Sequence, residues 1–305
     1  MITIGGTTRI GGGGISTSGS IDINGVRIDF RDPIGTCRRL LANVSDEDKL
    51  EFANSIIEEV KMNGGPRKHE TTKIREERCQ GKQFSSLENS SYCKVFLKQS
   101  ASNYAVAVEG KKADIEKIRT YVDGSILKID VDEDAYFAVA PVIYVECPVI
   151  ASITTEGSSD VELQSEVISD IEDLSINVMG SGCVTCQNIQ VPGIDISITA
   201  SGDVIIEKLS TRAAMASVSG SGDITLKDAS VSSSAKLAVQ GSGDIRYNGT
   251  ARTITANVTG SGDIRGHVSC DLMNARVTGS GDINFTGNIK SKTQRVIGTG
   301  DIHIN

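Results

Sequence analysis

Gly220-Ser-Gly-Asp223 recurs intact at Gly241–Asp244, Gly260–Asp263 and Gly279–Asp282, and its reading decides the fold. Variants extend the series: Gly157-Ser-Ser-Asp160, Gly180-Ser-Gly-Cys183, Ala200-Ser-Gly-Asp203 and Gly298-Thr-Gly-Asp301. The fourth positions fall at 160, 183, 203, 223, 244, 263, 282 and 301, so the period is 19–23 residues. A repeat this regular predicts stacked coils, each of which buries its apolar side only against its neighbours.

The residue after the fourth position is always branched, from Val161 through Val184, Val204, Ile224, Ile245, Ile264 and Ile283 to Ile302. Two residues later come Leu163, Cys186, Ile206, Leu226, Tyr247, Gly266, Phe285 and Ile304. On a strand, side chains alternate between faces, so these two columns point inward. The column between them (Glu162, Thr185, Ile205, Thr225, Arg246, Arg265, Asn284, His303) points outward and is polar except at Ile205. A further inward column precedes each corner, from Val178 to Val296. Each coil therefore supplies at least two short strands, and eight corners at about 4.8 Å per step make a rod about 35 Å long.

In the corner, glycine is expected to supply positive φ and the aspartate to accept backbone N–H groups of its own turn. Asp203, Asp223, Asp244, Asp263, Asp282 and Asp301 form one column, which makes them the candidate metal ligands of the chain. Carboxylates about 5 Å apart repel by about 0.8 kcal/mol in bulk water and about 3 kcal/mol at an effective dielectric of 20, so something must offset the column's charge. Calcium needs six or more oxygens, which one carboxylate per coil supplies poorly, and the turn N–H groups are the preferred offset. No metal or other cofactor is expected.

Before the repeats, residues 1–30 alternate apolar and polar positions among glycines, and Asn24-Gly25 is a hairpin signal. Ser45-Asp-Glu-Asp48 opens an amphipathic helix that Gly64-Gly65-Pro66 stops. Arg67–Arg78 reads as a charged, solvated linker. From Phe84 strands return, with a short helix near Ala113–Ile118 and a last strand, Val142–Cys147, bracketed by Pro141 and Pro148 as an edge or a strand start would be. The divisions are 1–83 (Gly-rich hairpin, helix, linker), 84–156 (an α/β adapter) and 157–305 (the solenoid). The fold class is mainly β: a parallel β-helix-like solenoid of 19–23-residue coils preceded by a small α/β N-terminal module.

Composition sets bounds on function. A net charge of −8 with no basic stripe disfavours nucleic acid. No apolar run approaches the ~18 residues of a membrane span, and Met1-Ile-Thr-Ile-Gly-Gly does not open a secretory signal. Seven scattered cysteines make a poor disulfide framework. A reduced protein, cytoplasmic or virion-associated, is expected, and a cell-surface one if a signal was removed. In Cys183-Val-Thr-Cys186 the register sends the two thiols to opposite faces, against a zinc or redox pair. His69, His267 and His303 stand apart from any nucleophile motif. With no Trp anywhere and only Tyr247 and Phe285 as aromatics in the coils, a sugar-binding wall is poorly supplied.

From roughly residue 84 to 305 the chain resembles the putative auto-transporter adhesin, or head-GIN domain, family. The resemblance lies in Cys93-Lys-Val-Phe-Leu-Lys-Gln, Asp123-Gly-Ser-Ile-Leu-Lys-Ile, the Pro-bracketed strand and the Gly-Ser-Gly-Asp-Ile corners. It implies a β-helix-like solenoid with no established enzymatic activity. The expected function is thus a non-enzymatic scaffold or binding protein. A phage tail or spike component and a solenoid carbohydrate-active enzyme are the alternatives, the latter needing paired carboxylates ~5–10 Å apart in a groove. The last residues, Ile302-His-Ile-Asn305, stand halfway through a coil, so a second subunit, another protein, or residues 1–30 folded back are expected to cover that edge.

Overall fold

A computed structural model describes the backbone of residues 2–11, 14–23 and 26–29, and residues 73–132 and 135–305 in full. The chain divides into two units, Met1–His69 and Glu70–Asn305. In the first, β1 (Ile2–Gly11), β2 (Gly14–Ile23) and β3 (Val26–Asp29) form an antiparallel meander. Pairing of Ile23 with Val26 leaves Asn24-Gly25 as a two-residue connection, as the hairpin signal predicts. The helix expected from Ser45 and its Gly64-Gly65-Pro66 stop lie outside the described residues.

The second unit opens with β4 (Lys73–Arg78), β5 (Ser86–Asn89), β6 (Lys94–Gln99) and β7 (Ala105–Lys111). The one-turn helix α1 (Lys112–Ile115), β8 (Ile118–Asp123), β9 (Ile126–Val131) and β10 (Val142–Cys147) follow. Next come β11 (Ser152–Thr155), β12 (Val161–Leu163), β13 (Val167–Ile168) and β14 (Leu174–Val178). Six strands of sixteen residues then carry the repeats: β15 (Cys183–Ile198), β16 (Asp203–Val218), β17 (Ile224–Val239), β18 (Ile245–Gly260), β19 (Ile264–Gly279) and β20 (Ile283–Gly298). β21 (Ile302–Ile304) ends the series.

All coils pair parallel and in register, so the columns read from sequence are physical stacks. Val161, Val184, Val204, Ile224, Ile245, Ile264 and Ile283 are all at most 1% exposed. A third inward column was not legible from the corners: Ile189, Leu209, Ala229 and Val268 are buried in the middle of their strands, so each coil has three walls. The 21-residue coil that contains β17 fits its neighbours through register shifts, at Thr211/Ala213 of β16 and, opposite β18, at Leu226/Ala229 and Ser230/Ser234. Each buried Val, Leu or Ile contributes about 1.5–3 kcal/mol, and this stack is the core.

Two walls extend into the adapter. One runs β4–β7–β10–β6–β12–β15 and the other β8–β9–β5–β11–β14–β15. One expectation changes here. Lys73–Arg78 is an edge strand, not a linker: its charged side chains keep the free edge soluble, and Arg78 turns in to donate to the carbonyls of Ile115 (3.1 Å) and Ile118 (3.0 Å). Of the two roles expected for the prolines, the strand start is the one present: Pro141 directly precedes β10, a central strand with β6 and β7 on either side, and Pro148 directly follows it, so neither costs a ladder bond.

The corners also work differently from the expectation. Positive φ occurs at the first glycine of only the last three corners, Gly260 (135°), Gly279 (131°) and Gly298 (134°). The general requirement is space. The carbonyl of Gly241 accepts both Ser261 N–H (2.9 Å) and Gly262 N–H (3.1 Å), and Gly220, Gly260 and Gly279 act alike. That approach leaves no room for a side chain: a Cβ on Gly262 would stand 2.0 Å from the Gly243 oxygen, and one on Gly222 1.9 Å from that of Gly202.

In the last coil residues 291–299 are exposed, and among the described residues β21 pairs only with Ile283, Asn284 and Phe285. Lys292 and Gln294 stand where the preceding coil has the buried Met273 and Ala275, and the Lys292 ammonium donates to the Ile304 carbonyl at 2.5 Å. Val296, heir to a buried column, is 44% exposed. Polar side chains at positions that are apolar in the other coils make a less favourable edge for further pairing.

Gly262→Ala should cost about 3 kcal/mol or more, since the neighbouring atom is backbone, whereas Ser261→Ala on the exposed tip should stay within about 0.5 kcal/mol. Thermal melts compare them. Equal losses would remove close approach as the reason for the glycine.

Candidate functional site

The aspartate column forms a hydrogen-bonded ladder between coils. Oδ1 of Asp203 accepts the N–H of Asp223 at 2.9 Å, Asp223 that of Asp244 (2.8 Å), Asp244 that of Asp263 (2.9 Å), Asp263 that of Asp282 (2.8 Å) and Asp282 that of Asp301 (2.8 Å). The expected acceptor role is present, but the donor belongs to the next coil and not to the same turn. Arg265 adds cationic charge beside the ladder, 2.7 Å from Asp244 Oδ2 and 3.7 Å from Asp263 Oδ2. Among the described residues no three His, Cys, Asp or Glu side chains converge in a metal-binding group.

Cys183 replaces aspartate once, and there the ladder changes: Asp203 N–H turns to the Gly182 carbonyl at a longer 3.3 Å. Cys183 is half-buried and Cys186 is 3% exposed in the core column, on the opposite face. Burial, reinforced by Asp160 and Asp203, pushes the Cys183 thiol up to about 11, and burial does the same to Cys186. Both are therefore thiols at neutral pH, unlike an activated cysteine. His267 and His303 are exposed on different coils, and the His267 ring lies 3.1 Å from the Thr286 hydroxyl. His69 lies outside the described residues.

The structure adds a feature the corners do not announce: an open groove on the outer surface of the wall that begins at β4. Strand alternation puts Val95, Leu97, Ile143 and Val145 inside and Phe96 and Tyr144 outside. β10 and β6 pair Tyr144 directly with Phe96, and their rings stack with centroids 5.5 Å apart. The Arg75 guanidinium lies 4.6 Å from the Tyr144 centroid and the Lys94 ammonium 4.8 Å from that of Phe96. A cleft of about 600 Å³ surrounds the two rings, and a second of about 550 Å³ adjoins it over β12 and β15, both lined by Lys98 and Gln164. The signal was present as an aromatic at an outward position in two neighbouring strands.

The groove's charges are matched internally. Arg75 pairs with Glu77 (3.5 Å), Lys98 with Glu146 (3.5 Å) and Lys94 with Glu162 (2.7 Å). Glu146 also accepts a hydrogen bond from the Asn103 amide at 3.0 Å. That bond, together with Lys98, holds the Glu146 carboxyl below its ordinary value despite partial burial.

Asp263→Ala should cost about 1–3 kcal/mol by orphaning Asp282 N–H, while Asp263→Asn keeps an acceptor and should melt within about 0.5 kcal/mol of the parent. Added Ca²⁺ should leave the melting temperature unchanged, and a rise abolished by Asp263→Asn would show that the column is a cation site instead. For Glu146 the folded pKa is lowered, so its contribution is full above the unfolded value and vanishes as pH falls through the folded one. Glu146→Gln should therefore melt below the parent near pH 7, and the gap should close as pH falls below the ordinary carboxylate range. A gap independent of pH would contradict this assignment.

Comparison with known proteins gives the chain's relatives. No curated protein matches it. A putative adhesin from Parabacteroides distasonis ATCC 8503 superposes with a TM-score of 0.69 at 19% identity, over 77% of this chain and 97% of that one. A putative lipid binding protein from the same strain gives 0.68 at 19% identity over the same shares, and a putative adhesin from Parabacteroides merdae ATCC 43184 gives 0.64 at 17% over 77% and 96%. At such identities the likeness carries the fold. The family model described as "Putative auto-transporter adhesin, head GIN domain" matches residues 83–265 and 230–305, and the chain belongs to that family.

Proposed function

We propose that this protein is a non-enzymatic adhesin-type rod, displayed at the cell surface, that holds a ligand on the outward side chains of its in-register walls. The observation that carries the reading is the groove spanning β4 to β15: an open, polar trough on a rigid sheet, with its carboxylates held in ion pairs. A sugar-cleaving enzyme would need a carboxyl kept protonated at working pH. Glu146, the carboxylate beside the groove's rings, is shifted the opposite way. Both buried cysteines of the groove-bearing adapter, Cys93 and Cys147, have thiols pushed up by burial, to about 11 and about 12, which suits packing and not nucleophilic work. Family membership supports surface display, and the comparisons offer no support for a virion component or a carbohydrate-active enzyme. Among the described residues no helix is long and apolar enough to cross a membrane.

Two measurements test this. Antibody raised to residues 84–305 should label intact source cells. Beads coated with the whole chain should be retained under flow on epithelial or bacterial cell layers at least fivefold over beads coated with an unrelated β-solenoid. Absence of both labelling and retention would overturn the proposal, as would release of reducing sugar from cell-surface glycans by the purified chain.

A further inference from the structure

We propose that the groove binds a neutral oligosaccharide chain, an inference that rests on the adhesion reading and names its ligand class. Six strands cross the groove, β4, β7, β10, β6, β12 and β15, so at about 4.8 Å per strand step it is about 24 Å long. A trough of that length, open along its top, fits an extended chain of several units better than a single small molecule, which an enclosed pocket would hold.

Its chemistry selects among extended chains. Its lining sets Arg75, Arg78 and Lys98 against Glu77, Glu146 and Glu162, so it carries no net charge to attract a polyanion. Beyond the rings its lining is polar, which disfavours an acyl chain or an apolar peptide. What remains unpaired is amide: the Gln80, Gln164 and Gln187 side chains are exposed and make no side-chain hydrogen bond among the described residues. Amides that both donate and accept suit hydroxyl groups, which do the same.

Phe96 and Tyr144 supply the apolar floor on which the C–H face of a sugar ring stacks. Arg75 and Lys94 now lie over those rings, with side chains 50% and 43% exposed. Such exposed contacts are worth about 0.5–1 kcal/mol each, so a sugar can displace them and meet their donors at the rim. The scarcity of aromatics that disfavours a sugar-binding wall holds for the coils. The adapter concentrates them.

The test uses the whole chain on an array of neutral hexasaccharides from β-glucan, mannan, galactan and chitin, beside heparin-type sulfated hexasaccharides. At least one neutral chain should bind, and titration calorimetry with it should show affinity reduced at least tenfold by Tyr144→Ala and by Gln164→Arg. Gln164 is exposed, so its variant keeps the parent melting temperature even if Tyr144→Ala is unstable. Bead retention with no binding to any neutral hexasaccharide, binding to the sulfated set alone, or full affinity in Gln164→Arg would each overturn the inference while leaving adhesion standing. Loss of retention altogether would strike the adhesion reading itself.

Discussion

The fold depends on a contact between two pieces of backbone. At the corners from Gly180 to Gly279, the carbonyl of the first residue takes two N–H groups from the next coil, and the third residue of that next corner approaches so closely that only hydrogen fits where a Cβ would be. This contact holds successive corners at one register. Parallel pairing follows, because each coil must enter and leave its corner in the same direction, and in-register stacking of branched side chains follows from that. Where a large side chain breaks the column, a small one answers it: Gly266 lies between Tyr247 and Phe285, and a Cβ there would meet the Tyr247 carbonyl at 1.7 Å.

A second tie, the aspartate ladder, survives its own charge for reasons of magnitude. A hydrogen bond to a carboxylate is worth about 1.5–3 kcal/mol net, against a repulsion per step of about 0.8 kcal/mol in water and about 3 at an effective dielectric of 20. Asp244 and Asp263 side chains are 25% and 33% exposed, so solvent screens them toward the lower figure and the bond wins. Charge along the chain acts in the same sense. Between Val149 and Glu207 there are ten Asp or Glu and no Lys or Arg, while Arg246–Asn305 holds seven Lys or Arg against four Asp. The one break in the column, Cys183, stands in the acidic stretch between Asp160 and Asp203, where another carboxylate would have no cation beside it in sequence.

The solenoid was legible because a period of two and a period of about twenty are both written in residue types. Val and Ile mark the inward positions, and Gly marks the corner. The middle wall was not, since its inward residues, Ile189, Leu209, Ala229 and Gly249, share neither size nor shape, and bends within each sixteen-residue strand shift the alternation. The reach of the aspartate was also hidden: sequence places an acceptor at the turn but gives no sign that the nearest free N–H belongs to the next coil. Lys73–Arg78 read as a linker because an edge strand needs no apolar face pattern when its single partner supplies the pairing. Lys292 departs from its column, whose members in the preceding coils, Ala214, Ala235, Ile254 and Met273, are apolar.

The groove's position follows from the same constraints. Within the coils, the corner and the inward columns are committed to stacking, and the outward columns carry no aromatic side chain. At the adapter the corner constraint lapses: β7 runs antiparallel to β10, and β4 antiparallel to β7, so the wall continues without a turn to satisfy at each step. Outward positions there can carry Phe96 and Tyr144 in direct register without disturbing any corner, and β4 lies beyond them as a raised, charged rim through Arg75 and Glu77. The regular part of the chain thus supplies rigidity, and the irregular part, still joined to it by unbroken strand pairing, supplies the recess. A ligand seated across β6, β12 and β15 would touch both, so tension on the ligand would pass directly into the ladder of coils and not through a flexible hinge.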